Sequence, residues 1–250
     1  MDLVPLLVIL VLAHSAETVL GFGATIIALS LGAHLYPLST LLPVLVILAL
    51  AQSAWLVGRW RRHIRWRLLL VRILPAAAAG TALGIAMRSL ADERLLVAVL
   101  GSFVSAVSLA EIAMIIRKRT SGAALPSWLG IPILAAGGVF HGLFATGGPL
   151  VVYFASREID DPPAFRATLS TLWLGLNTAL AASLAWSGQA DASSLRTAGL
   201  VLPGLVAGIA IGSRIRLEAL AFKVCVYALL LASGLALVTR ALLVGAGGPG

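Results

Sequence analysis

Gly137-Gly138-Val139-Phe140-His141-Gly142-Leu143-Phe144-Ala145-Thr146-Gly147-Gly148-Pro149 lies in the middle of a long apolar run, where a bilayer-spanning helix is expected. Five glycines and a proline among thirteen residues do not sustain a regular helix. Gly costs about 1 kcal/mol and Pro about 3 kcal/mol in a helix interior. In hydrocarbon, backbone released from a helix must find new partners, so a break survives only where protein surrounds it or a wet cavity meets it. Broken helices at membrane depth are where transporters bind substrate, the half-helix N-termini presenting N–H groups to anions. A second stretch, Ser15-Ala16-Glu17-Thr18-Val19-Leu20-Gly21-Phe22-Gly23-Ala24-Thr25, repeats the pattern in the first half of the chain.

Composition agrees with a membrane setting. The chain has 250 residues, 60% hydrophobic and 11% charged, with mean hydropathy +1.03. A soluble domain carries about 25% charged residues. All of this points to a polytopic membrane protein and leaves no room for a separate soluble domain. The net charge of +8 is no nucleic-acid footprint, because the basic residues lie at the ends of apolar runs, as the positive-inside rule requires. The single Cys225 excludes an intrachain disulfide and a cysteine zinc cluster. The start, Met1-Asp2-Leu3, has no basic region, so no cleavable signal peptide is expected.

Apolar runs fall at about 3–33, 37–57, 67–88, 95–116, 128–156, 164–186, 195–213 and 219–243. The first and fifth are longest and hold the breaks, so each is either one tilted helix or a hairpin of two short ones. The halves also repeat. Leu74-Pro75 with Gly80, Gly84 and Arg88 matches Leu202-Pro203 with Gly208, Gly212 and Arg216 at an offset of 128. The breaks align at 124, Gly23 opposite Gly147 and Thr25 opposite Pro149. With single crossings, the membrane side holding the Arg59–Arg72 cluster carries 11 of the 18 basic residues; with hairpins and an inverted second half it carries 14. Since Lys and Arg prefer cytoplasmic loops, the count favours inverted repeats with both termini outside. The expected fold is therefore all-α: repeat 1 over 1–118, a connecting basic loop over 119–127 and repeat 2 over 128–250. Each repeat opens with a Gly-broken, re-entrant helix followed by three transmembrane helices.

Glu17 and His141 stand at equivalent repeat positions, and an ionisable group at membrane depth is costly unless paired, hydrated or used. Proton coupling or charge balance is the functional reading for both, and for His14, one turn before Glu17 on the same helical face. The bland reading is a satisfied packing residue. Thr146 lies within the break, and Asn177 sits mid-run, where an amide cannot satisfy itself. Ser53, Thr168, Ser170 and Thr171 read as interhelical glue, and Glu111 with Arg72 as snorkelling residues, paired or separate. Trp55, Trp60, Trp66, Trp128 and Trp186 fall at run ends, where aromatic belts belong. Gly80, Gly84, Gly208 and Gly212 read as close helix contacts. Neither a nucleophile elbow nor a His-Glu-x-x-His pair nor a phosphate loop is present, which argues against hydrolase, metal and ATP-driven chemistry.

These residues resemble the TauE/SafE family of sulfite and organosulfonate exporters. Gly138, Gly142, Leu143, Phe144, Gly147, Gly148 and Pro149 fit the family's second-repeat pattern, with Ala145 where the family often has Gly. Gly21-Phe22-Gly23 fits the first, with Ala24 and Thr25 in place of a usual small or glycine pair. The later Gly-x-x-x-Gly-x-x-x-Arg of each repeat also fits, and the resemblance covers about residues 5–240. It implies a secondary exporter of a small sulfur-containing anion, sulfite or a short organosulfonate, in a bacterial plasma membrane.

The expectation from the sequence is thus an ion-gradient-driven transporter, not an enzyme, without a cofactor or metal. Its partners are the anion, membrane lipids and a possible second copy of the chain, with no nucleic acid. The anion would sit near the midplane between two broken helices, contacted by Gly21, Gly23, Ala24, Thr25, Thr146, Gly147, Gly148, Pro149 and Asn177, with Glu17, His141 and His14 handling protons or charge. The alternatives are a transporter of another small anion, such as a carboxylate, and an intramembrane enzyme using His14, Glu17 and His141 on a lipid-linked substrate.

Overall fold

A computed structural model describes residues 2–20, 23–117, 126–214 and 219–246. Gly21, Arg216 and most of the connecting basic loop (118–125) lie outside them. Every regular element among the described residues is helical: α1 Leu3–Leu20, α2 Ala24–Gly32, α3 Leu38–Trp60, α4 Trp66–Leu68, α5 Leu74–Leu90, α6 Glu93–Ile116, α7 Ser127–Phe144, α8 Gly148–Ala155, α9 Pro162–Trp186, α10 Ala192–Gly212 and α11 Ala219–Ala246. A π-helical turn, Leu69–Ile73, carries α4 into α5 just before Pro75. Pro75 has no N–H for an α-helical bond and its ring crowds the preceding turn.

The first and fifth apolar runs each divide at their glycines. Leu38–His63, Trp66–Leu90, Glu93–Ile116, Ala192–Gly212 and Val224–Leu243 are long and apolar enough to cross a membrane, which makes the protein a multi-pass integral membrane protein. α9 has the length but not the same apolarity. It carries Arg166, Thr168, Ser170, Thr171, Asn177 and Thr178.

The chain forms two compact units, and each draws on both halves of the sequence. One comprises Met1–Leu41, Ala91–Thr120 and Gly199–Gly250, the other Leu42–Leu90 and Ser121–Ala198. In the first, α6 and α11 pack closely: a Cβ on Gly101 would lie 2.7 Å from the Gly234 carbonyl oxygen. Ser30 and Ser233 hydroxyls meet at 2.9 Å, and His34 Nε2 lies 3.0 Å from Ser233 Oγ. Arg240 donates to the Ala33 and His34 carbonyls. α10 lies on α1, where Gly208 faces the Val11 carbonyl and the Ser15 N–H, and Gly212 faces the Ser15 carbonyl and Thr18.

In the second unit α5 lies on α7 in the same manner. Gly80 faces the Ala135 carbonyl and the Val139 N–H, and Gly84 faces the Val139 carbonyl and Gly142. Gly138 and Gly142 answer from α7, set against the Ala77 and Thr81 carbonyls. No side chain fits at such backbone-to-backbone contacts, which is why glycine stands on both faces. The core of this unit gathers Leu69, Ile73, Ala77, Leu134, Val151, Phe154, Leu172 and Leu176. Arg72 donates to Glu158 Oε2 at 2.7 Å and lies over the Phe154 ring. The expected option of a pair between Arg72 and Glu111 is therefore corrected: the carboxylate that Arg72 meets is Glu158, in the loop after α8.

Candidate functional site

The second break is a turn between two antiparallel helices. α7 ends at Phe144, and Ala145, at φ 55 and ψ 24, caps it in the left-handed conformation while its N–H reaches the His141 carbonyl. It is the non-glycine residue with positive φ among those described. The chain then reverses into α8, which runs back along α7. A Cβ on Gly137 would lie 2.9 Å from Val151 and 3.3 Å from Leu150, and one on Gly130 would lie 2.6 Å from the Phe154 ring. At the neck of the hairpin, Gly147 faces the Gly137 carbonyl so closely that a Cβ would strike it. Gly148 has nothing within 4 Å of where its Cβ would be.

α8 starts without a side-chain cap. Its first helical bond runs from the Val151 N–H to the Gly147 carbonyl. The N–H groups of Gly147, Gly148 and Leu150 therefore precede the ladder and have no acceptor within the helix, and Pro149 has none to offer. This is a donor-rich, dipole-positive end.

Three buried side chains stand with it. His141, Thr146 and Asn177 are 1%, 3% and 3% exposed. Both ring nitrogens of His141, the Thr146 hydroxyl and the Asn177 amide oxygen find no hydrogen-bond partner among the described residues. Most buried polar groups are satisfied, so a cluster of unsatisfied ones calls for an explanation. α9 brings them to one level. Trp173 stacks on His141, with centroids 5.2 Å apart and planes at 19°, while Leu180 and Leu184 pack with Ala145. Trp173, Asn177, Leu180 and Leu184 form one stripe at spacings of four, three and four, so Asn177 faces the break between those contacts. By contrast Thr171 and Thr178 donate to carbonyls of their own helix, and Thr168 accepts from the Arg65 N–H; these are structural hydroxyls. Trp173 was absent from the sequence reading. Its signal was an indole in mid-run, one turn before Asn177, where belt tryptophans do not belong.

The first break is built differently and lies in the other unit. Gly23, at φ 105, caps α2 from the left-handed region, where glycine is the residue that fits. Ala24 is buried and Thr25 half-buried in the first turn of α2. Gly21 lies outside the described residues. His14 is buried, and its Nδ1 lies 3.3 Å from Glu17 Oε2, at ion-pair distance though off hydrogen-bond geometry. Thr18 donates to the His14 carbonyl and Ser15 to that of Gly208. His14 and Glu17 thus form one local pair on α1.

Comparison with known proteins adds what geometry alone does not supply. The family model described as Sulfite exporter TauE/SafE matches residues 6–237. A probable inner membrane transporter protein, TsaS, of Comamonas testosteroni is 29% identical over 179 residues, covering 70% of this chain and 73% of that one. A probable sulfite/organosulfonate exporter, TauE, of Cupriavidus necator is 27% identical over 206 residues, covering 79% and 78%. No solved structure matches the chain.

Proposed function

The chain belongs to the sulfite exporter TauE/SafE family, whose members are membrane transporters rather than enzymes, and from that membership we propose that it exports a small sulfur oxyanion bound at the start of α8. The observation that carries this reading is the pair of unpartnered buried side chains, His141 and Thr146, at an uncapped helix N-terminus, with the unpartnered Asn177 on α9 between Trp173 and Leu180. A sulfite or sulfonate offers three oxygens and a delocalised charge, which suit backbone N–H groups of Gly147, Gly148 and Leu150 together with a hydroxyl and an amide. Pro149 shapes the first turn. The names of the two relatives support sulfite or an organosulfonate as cargo and the inner membrane as location.

The reading extends to architecture. α7 and α8 form a re-entrant hairpin, and the two halves of the chain are repeats of opposite orientation. In support, the contacts of Gly80 and Gly84 with residues 135, 139 and 142 recur at Gly208 and Gly212 with residues 11, 15 and 18. The offsets are those of the sequence repeat, 128 and 124. In this correspondence His14 and Thr18 replace Gly138 and Gly142, and Glu17 replaces His141. The first break therefore carries an acid–base pair, His14 and Glu17, at the positions that hold Gly138 and His141 in the second. We assign proton exchange to Glu17 with His14, driven by the membrane gradient, with Gly23, Ala24 and Thr25 forming the equivalent half-helix start.

The test is thermal stabilisation of the purified protein by sulfite, sulfoacetate, taurine, sulfate, thiosulfate and acetate. A ligand at a hundredfold excess over its Kd stabilises the native state by about 2.7 kcal/mol. Stabilisation by a sulfur oxyanion that disappears in Thr146→Val supports cargo and site together. A response to acetate alone keeps the fold and replaces the cargo with a carboxylate. Undiminished sulfite binding in Thr146→Val moves the site elsewhere.

A further inference from the structure

We propose that the turn joining α3 to α4 is a binding site for the phosphate of an anionic phospholipid. Arg59, Arg61, Arg62, Arg65 and Arg67 fall within nine residues, all exposed, and the sequence holds no carboxylate between Glu17 and Asp92. The ion pairs found among the described residues are His14–Glu17 and Arg72–Glu158; neither draws on these five guanidiniums. Of the carboxylates near the start of α9, Glu158 takes Arg72 and Asp161 caps the helix through the Ala164 N–H, so the five guanidiniums of this turn have no carboxylate at ion-pair distance among the described residues.

The turn is held in shape, which a merely solvated charge run does not require. Ile64 in its middle is buried at 8% exposure as part of the core that also holds Leu69, Phe154 and Ala167. The Arg65 N–H donates to Thr168 Oγ1 at 3.0 Å, pinning the turn to α9. The 3₁₀ turn Arg61–His63 and the start of α4 then display guanidiniums on either side of the buried Ile64. Arg166, exposed on α9 two residues before Thr168, adds a sixth at the same end. Guanidinium groups bind phosphate oxygens through paired N–H donors, which gives geometry as well as charge.

Two tryptophans choose between a lipid phosphate and a free one. Trp66 is 52% exposed, and Trp60 lies edge-on to His63 at 5.6 Å with Arg59 5.7 Å above its ring. Indoles beside the ends of two membrane-crossing helices sit at headgroup level, with the ring among the upper acyl chains. A lipid meets both halves of this arrangement, phosphate on arginine and glycerol with acyl chain on indole. Inorganic phosphate meets only the first.

The experiment measures the melting temperature of the purified protein in a neutral detergent supplemented with phosphatidylglycerol, phosphatidylcholine or inorganic phosphate. It compares the wild type with an Arg61→Gln/Arg62→Gln/Arg65→Gln variant. The expected result is a rise of several degrees with phosphatidylglycerol alone, reduced by more than half in the variant and weakened by salt. Native mass spectrometry should count fewer bound phosphatidylglycerol molecules on a Trp66→Ala protein, which leaves the charges in place. An equal rise with inorganic phosphate overturns the proposal in favour of a free-anion site. A phosphatidylglycerol response unchanged in the variant overturns it in favour of another lipid surface, and no response to any of the three overturns it outright.

Discussion

The imidazole of His141 lies stacked on the indole of Trp173, centroids 5.2 Å apart with 19° between the planes. The stack fixes the ring's plane without using either nitrogen, so the ring's N–H stays free to donate to the oxyanion of the proposed site. An aromatic pair is worth about 0.5–1.5 kcal/mol beyond burial. Trp173→Phe should keep most of that and bind sulfite within about threefold of wild type. Trp173→Leu removes the ring face and should weaken binding clearly more. Titration of both variants by thermal shift checks the order; equal affinities would remove the stack from the site.

Thr146→Val is the sharpest test, because stability and binding should move in opposite directions. Valine has nearly the shape of threonine, and the hydroxyl it removes is buried and unpartnered. The unliganded protein should melt at the same temperature or gain about 1 kcal/mol. Sulfite binding should fall about tenfold or more, since a hydrogen bond to a charged group is worth roughly 1.5–3 kcal/mol. A hydroxyl serving only the fold would show the reverse.

Neighbouring glycines of the break should answer differently. Gly147→Ala drives a methyl group into the Gly137 carbonyl and should destabilise by about 1–3 kcal/mol. Gly148→Ala meets open space and should change stability by less than about 0.5 kcal/mol, yet slow sulfite efflux from proteoliposomes by crowding the first-turn N–H groups. Wild-type flux in correctly inserted Gly148→Ala would place the anion away from α8.

Ala145 stands at φ 55, where a Cβ costs roughly 1–2 kcal/mol. Its methyl group is also buried beside Leu180 and Leu184. Ala145→Gly relieves the strain but loses that contact and frees the unfolded chain, so its stability should stay within about 1 kcal/mol of wild type. Ala145→Val asks a β-branched residue to adopt the left-handed conformation and should cost about 2 kcal/mol or more. Thermal melts of the two variants decide the point.

His34, in the turn between α2 and α3, is held below the ordinary histidine range, first by burial and then by the Arg240 charge, against the opposing bond to Ser233. A lowered pKa means that the unfolded chain binds the proton more readily than the folded one. Its contribution is therefore fully present above the unfolded value near 6.5 and is lost as pH falls through the window below it. The melting temperature should drop between pH 7.5 and 5.5, and more shallowly in His34→Gln. Identical slopes would mean that other groups set the acid sensitivity.

Local patterns carried much of this protein. Glycine and proline extend a helix poorly in hydrocarbon, so α2 starts behind the left-handed Gly23 and α8 behind Gly147, with α7 ending at Phe144. The burial of His141, Thr146 and Asn177 was legible because a polar group deep in an apolar run stands out against its surroundings. The Arg72–Glu158 pair was not, since the alternative carboxylate at Glu111 lies on an equally plausible run end and charge does not specify direction.

Sequence by itself determined the solvent of this chain, its all-helical class and the position of its helix breaks. All of these depend on composition and on neighbours within a few residues. Only the tertiary structure decided that α8 folds back along α7, that α5 lies on α7 and α10 on α1, and that Trp173 rather than a polar group faces His141. Those outcomes depend on which faces meet across chain separations from 10 residues, at Gly137 and Gly147, to 197, at Val11 and Gly208. Helices in a bilayer choose partners by shape and close backbone approach, and hydropathy periodicity carries no record of that choice.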